Sequence, residues 1–158
     1  GERAGNAPTE DTVMALLTMY GIDIGINYDK LYPLAKMVQE ISGVQIPSNR
    51  SVVGDQLFQV ESGIIANWFK NCGVEHQTEL FPFRPEFVGQ PEADVVMGKG
   101  SGIDSVRIWL DKIGADATDE EAMTILKEVK AQGNETKQLL TIEQFKDIAN
   151  RTISQKVA

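Results

Sequence analysis

Apolar residues along this chain recur at the period of an α-helix, and that period constrains the fold more than any other feature. Val13, Leu16, Leu17 and Tyr20 stand at i, i+3, i+4 and i+7, which puts them on one face of a helix over residues 9–20. Thr9 is the expected cap, Glu10 and Asp11 place negative charge at the positive end of the helix dipole, and Gly21 is the stop. The spacing returns in Leu31, Leu34, Ala35, Val38 and Ile41, the expected buried stripe of a second helix from Tyr28 to Ser42. Asp29 is placed to cap it, Pro33 is tolerated in its first turn, and Gly43 ends it.

A third helical stretch is expected through Val53, Leu57, Val60, Ile64 and Trp68, with Gly63 inside it as either a close-approach point or a break. Residues 71–92 then carry Pro82, Pro85 and Pro91 among Phe81, Phe83 and Phe87, a pattern that predicts an extended, packed-down crossing segment. Residues 94–97 read as one short strand and 98–102 as a tight loop. Helical spacing resumes in Ile103–Ile113, in the stretch capped by Thr118 and Glu121 and ended by Gly133, and in the stretch capped by Thr141 and Gln144.

The expected class is therefore mainly α. The division read from these signals is 1–21, 22–92 and 93–158. With 158 residues, a real core can form without metal or disulfide staples. The formal net charge of -8, with no basic stripe carrying interleaved aromatics, argues against nucleic acid or an anionic membrane as partner. No apolar run is long enough for a membrane span. A lone Cys72 permits no intrachain disulfide, and with no visible signal peptide it points to a cytoplasmic location. The opening, Gly1-Glu2-Arg3-Ala4-Gly5-Asn6, has no initiator Met and reads as the start of a fragment or of one piece of a split enzyme.

Two strings carry a family resemblance. Gly1-Glu2-Arg3-Ala4-Gly5-Asn6-Ala7 with Pro8-Thr9-Glu10-Asp11 is similar to the end of the catalytic (β/α)8 barrel in isopropylmalate, homocitrate and citramalate synthases. Gly98-Lys99-Gly100-Ser101-Gly102 resembles the Gly-Lys-His-Ser-Gly string of their post-barrel helical region. Between them, Ser48–Gly54, Glu61–Ala66 and Pro85–Gly89 fit the same pattern in the same order, while residues 114–158 fit by helical pattern alone. The resemblance implies the last loop and helix of a TIM barrel at 1–21, followed by a post-barrel helical region in two small subdomains. It also implies a metal-dependent condensation of acetyl-CoA, or a related acyl-CoA, with a 2-oxo acid in a homodimeric enzyme. The remainder of the barrel would be supplied by a segment or chain outside this one.

On that resemblance Asn6 matches an asparagine whose side-chain oxygen approaches a divalent metal (Mg, Mn or Zn), a chemically sensible donor for a hard cation; capping of the following helix is the plain alternative. Glu2 and Arg3 would brace that loop as an ion pair. The other metal ligands, an Asp and a His-x-His pair, have no counterpart here, because His76 is the one histidine, so no metal is expected on this chain alone. The family's post-barrel histidine falls at Ile65, its later tyrosine at Leu80 and the histidine of its glycine-lysine string at Gly100. His76, in a polar stretch, is either a surface residue or a displaced replacement. Lys99, Ser101 and Gly102 could hold a CoA phosphate at a helix N-terminus, although a structural turn is the simpler reading. Arg84, between aromatic residues, could hold a carboxylate or pack on a ring. Trp68 and Trp109 are expected to anchor a core or an interface.

Three functions remain open at the level of sequence: part of an acyl-CoA/2-oxo acid condensing enzyme, a non-catalytic helical interaction or regulatory module, and part of an HMG-CoA lyase-like carbon–carbon lyase. The region after residue 43 favours the first over the third. The first also predicts exposed apolar surface on the chain taken alone.

Overall fold

The computed structural model describes residues 5–154, of which residue 154 only in its backbone. It is mainly helical, with six α-helices and two very short strands among the described residues: α1 (Thr9–Tyr20), α2 (Leu31–Ser42), β1 (Gln59–Val60), α3 (Gly63–Cys72), β2 (Asp94–Val95), α4 (Ile103–Ile113), α5 (Asp119–Thr136) and α6 (Ile142–Ser154). The chain forms two compact units. One takes the chain to Phe58 together with Phe81–Ala93; the other takes Gln59–Leu80 together with the chain from Asp94.

In the first unit α1 runs over the expected residues, but Pro8 rather than Thr9 is its N-cap, and the cap has no side-chain bond. The Pro8 carbonyl instead receives the Thr12 N–H at 3.0 Å and the Thr12 hydroxyl at 2.8 Å. Gly21, at φ 68°, makes the left-handed stop. The second expected helix is split. Tyr28–Lys30 form a 3₁₀ turn and α2 begins at Leu31 with Lys30 as an uncapped N-cap; Asp29 does not cap it but pairs with Lys30 at 2.6 Å. Pro33 has no N–H to give the Asp29 carbonyl, and Gly89 packs on that carbonyl so closely that a Cβ there would lie 2.0 Å from the oxygen. Tyr28 stacks on Phe87 with centroids 5.2 Å apart, and Phe58 meets Phe81 and Phe83 edge-on.

The stripe on α2 is the larger correction. Leu31 is buried, but Leu34 is 52% exposed, Val38 53% and Ile41 80%. Helical period identifies the apolar side; it carries no information about whether the covering partner belongs to the same unit. The core of this unit is Val13, Met14, Tyr28, Leu31, Val52, Val53, Phe58 and Val88.

The third expected helix starts later than its apolar spacing suggests. Val53 and Leu57 lie in turns of the first unit, Val60 lies in β1, and the helix begins only at Gly63. The stripe is not one buried face: Val53 and Val60 are buried, whereas Ile64 and Trp68, the two that lie on α3, are exposed. Residues 71–92 are not wholly extended either. α3 runs through Cys72, and 3₁₀ turns form at Gln77–Glu79 and Pro85–Val88, the latter started by Pro85, whose fixed φ suits the first position.

In the second unit β1 pairs with β2 in parallel, Gln59 opposite Asp94 and Val60 opposite Val95, while Met97 bridges Leu140 antiparallel. Trp109 lies buried with its indole N–H on the Val95 carbonyl at 2.7 Å and its ring edge-on to Phe145. α4 matches its expected span, and α5 carries the Thr118–Glu121 capping box. Gly133 does not end α5. The helix passes through it to Thr136 and stops at Lys137, which takes the left-handed φ of 58°. The Thr141–Gln144 exchange then caps α6. None of the described helices is long and apolar enough to cross a membrane.

Candidate functional site

The head of α1 carries the residue assigned to a metal by resemblance. Asn6 is exposed in irregular backbone two residues before Pro8, while Glu2 and Arg3 lie outside the described residues. The first turn behind it is held by an arginine that sequence reasoning passed over. Arg50 donates from Nε (3.3 Å) and Nη2 (3.1 Å) to one Glu10 oxygen, and from Nη2 to Asp11 at 2.7 Å. The Ser51 hydroxyl donates to the other Asp11 oxygen. A single guanidinium bridging two adjacent carboxylates fixes direction as well as distance.

The loop that presents Arg50 is itself constrained. The Val53 N–H reaches the Ser51 carbonyl at 2.8 Å across Val52, whose φ is +65°, a costly value for a β-branched residue. Buried Gln90 donates from its side-chain nitrogen to the Val52 carbonyl at 3.0 Å and to the Gly54 carbonyl at 3.1 Å. Gly54 has no room for a Cβ, which would lie 2.4 Å from the Ser48 carbonyl oxygen.

Residues 98–102 form a turn whose interior is occupied by the protein itself. The Glu61 carboxylate accepts the Gly100 N–H at 2.7 Å. Ser101 is 1% exposed and its hydroxyl accepts the Gly98 N–H at 2.9 Å. Gly102 is the N-cap of α4 and lies against Gly63. Lys99 is exposed at the tip. The backbone donors expected to meet a phosphate are thus partly taken by a built-in carboxylate and a serine hydroxyl. Glu61 stood in the sequence beside the Ser-Gly pair, but nothing local signalled its partner 39 residues on.

The remaining candidates are dispersed. Ile65 is 37% exposed on α3, near Trp68 at 47%. His76 is exposed in the turn after α3, and Leu80 is half-buried beyond it. Arg84 lies exposed in the first unit with its guanidinium 3.6 Å from Glu86. A second polar group was also not anticipated. Lys36 and the Tyr32 hydroxyl both donate to Asp55, at 2.6 and 3.0 Å. The Lys36 bond holds the Asp55 carboxyl below the usual carboxylate range and raises Lys36 in turn; burial, then the bond to Asp55, raises Tyr32.

Among the described residues no group of three or more His, Cys, Asp or Glu side chains could hold a metal ion. One neutral amide oxygen at Asn6 does not make a cation site by itself.

No protein-family model matches the chain. Among curated proteins it is similar to homocitrate synthase AksA of Methanocaldococcus jannaschii (36% identical over 156 residues, 99% of this chain). It is similar to (R)-citramalate synthase CimA of the same organism (36% over 135 residues, 85% of the chain). It is also similar to a protein of Methanopyrus kandleri named "Probable 2-isopropylmalate synthase" (36% over 138 residues, 87% of the chain). The chain spans 37% of the length of the first and 26% of each of the others.

Proposed function

We propose, taking as premise a chain that belongs to the homocitrate, citramalate and isopropylmalate synthases, that it is the C-terminal portion of an acyltransferase joining acetyl-CoA or a related acyl-CoA to a 2-oxo acid. The observation that carries this reading is likeness along nearly the whole chain, 156 residues, to a homocitrate synthase. In this reading α1 closes the catalytic barrel, and the Asn6 oxygen is one neutral donor toward a divalent metal. That metal would polarise the oxo acid, and its charged ligands would belong to the part of the enzyme outside this chain. The helices after α1 form a cover that excludes water and joins two subunits.

The apolar stripe on α2 supports a cover with a partner, since Leu34, Val38 and Ile41 share one helix face and are each more than half exposed. Ile65 stands where the resemblance expects a histidine, so the proton-transfer groups of the complete enzyme would come from elsewhere. The test is thiol release from acetyl-CoA by the complete enzyme with added divalent metal across a panel of 2-oxo acids. Release that depends on both the oxo acid and the metal is expected. No release with any member of the panel would sink the condensing reading.

A further inference from the structure

We propose that Arg50 is a positioning residue: it locks the first turn of α1 and, through it, the loop that presents Asn6. The inference deepens the condensing-enzyme reading and rests on it for its functional consequence. Its structural part rests on contacts within one unit.

Three links connect a rigid anchor to Asn6. Buried Gln90 grips the carbonyls on either side of Val53, which fixes the loop despite the positive φ at Val52. That loop holds out Arg50 and Ser51, and their side chains take three of the four carboxylate oxygens of Glu10 and Asp11. Glu10 and Asp11 belong to the first turn of α1, where backbone N–H groups have no helical partner and fraying begins. The cap cannot supply that order, since Pro8 carries no side-chain donor or acceptor. Asn6 is two residues from Pro8, so the direction of the first turn sets where its side chain can reach.

A surface ion pair is ordinarily worth little, because two long side chains must be ordered in water. This one differs in geometry. Its arginine is half-buried, bridges two carboxylates and rises from a loop already fixed by buried bonds. The ordering cost is therefore largely met before the pair forms.

The experiment uses the complete enzyme with Arg50→Met, which keeps most of the stem, together with Arg50→Lys, Asn6→Ala and the double variant Asn6→Ala/Arg50→Met. Amide exchange at Thr12 and Val13 is expected to quicken about tenfold or more in Arg50→Met and to be partly restored in Arg50→Lys. Exchange there that is unchanged would overturn the proposal whatever the activity, and this readout does not depend on turnover. In the condensation, kcat of Arg50→Met is expected to fall about tenfold with KM for the acyl-CoA held within about twofold. The double variant should be no slower than the slower single variant. If Asn6→Ala leaves kcat intact, the assignment of Asn6 fails. If Asn6→Ala slows the reaction but Arg50→Met does not, or if the two losses multiply, positioning through Asn6 fails. Should Arg50→Met not fold, Arg50→Lys carries the test: it keeps the charge but lacks the fork that bridges Glu10 and Asp11, and exchange at Thr12 and Val13 no faster than in the wild type would overturn the proposal.

Discussion

Gly63 and Gly102 face each other so closely that neither has room for a side chain. A Cβ on Gly63 would lie 2.6 Å from the Gly102 α-carbon, and one on Gly102 would lie 2.7 Å from the Gly63 α-carbon. The contact joins the start of α3 to the start of α4, beside the bond from the Ser105 hydroxyl to the Glu61 carbonyl. Both partners are backbone, so neither can swing aside. Gly63→Ala and Gly102→Ala are each expected to destabilise the chain by about 1–3 kcal/mol. Urea midpoints measure this, and an unchanged midpoint for Gly63→Ala would show that the two helix starts slide apart freely.

Gly133 tests the same idea with the sign reversed. In the interior of an exposed helix, Gly→Ala should gain up to about 1 kcal/mol. Here a Cβ would stand 2.7 Å from the Lys99 nitrogen and 3.2 Å from the Gly98 carbonyl carbon. Gly133→Ala is therefore expected to lose stability by about 1–2 kcal/mol despite the better helix propensity. Stabilisation in a thermal melt would mean that the 98–102 turn yields.

These two glycines mark where the sequence was legible and where it was not. The spans of α1 and α4 came through, as did the starts of α5 and α6 at their Thr118–Glu121 and Thr141–Gln144 caps, because stripe and cap both act over a few residues. Gly63 was visible as an anomaly and Gly133 was read as a helix stop; the meaning of both lay in backbone segments 39 and 34 residues away, at Gly102 and Lys99. The α2 stripe failed as a core prediction for a related reason: the pattern of Leu34, Val38 and Ile41 fixes a face and not its partner. At the site, the resemblance singled out Asn6, Lys99 and Ser101 as candidates. Arg50, Glu61 and Gln90 were not, since long-range bonds between ordinary polar residues leave no periodic trace.

The Asp55–Lys36 pair makes a pH prediction. Asp55 is held below its ordinary range, so its stabilising effect is present above about pH 3.9 and is lost as pH falls through its folded value. Lys36 is raised, so its share is present below about pH 10.4 and is lost as pH rises through its folded value. Between those limits the contribution is flat. Both side chains retain considerable solvent exposure, which limits the pair to at most about 1 kcal/mol. Lys36→Met should lower the urea midpoint equally from pH 5 to 9, with the difference closing below about pH 3 and shrinking in molar salt. A difference that grew on acidification would show that the pair is not what stabilises this corner.

Gln90 offers the sharpest reading of the Arg50 loop. Its side-chain nitrogen is the donor to two backbone carbonyls, and the two are not equally dependent on it. The Gly54 carbonyl also accepts the Leu57 N–H at 3.3 Å, whereas the Val52 carbonyl has Gln90 as its partner among the described residues. Gln90→Leu should therefore cost about 1–3 kcal/mol, chiefly for one stranded acceptor. Gln90→Glu separates shape from hydrogen bonding. A protonated acid can still donate to the Val52 carbonyl, but a carboxylate would turn its charge on two carbonyl oxygens. The folded protein should hold that proton more tightly than the unfolded chain, which releases it near pH 4.3. More protons are then bound folded than unfolded above that pH, so stability falls as pH rises until the folded group ionises, and stays low beyond. Urea midpoints for Gln90→Glu should descend between pH 4 and 8 relative to the wild-type chain. Parallel curves for the two proteins would mean that the amide nitrogen is not what holds Val52 at its positive φ, and the rigid anchor behind Arg50 would go with it.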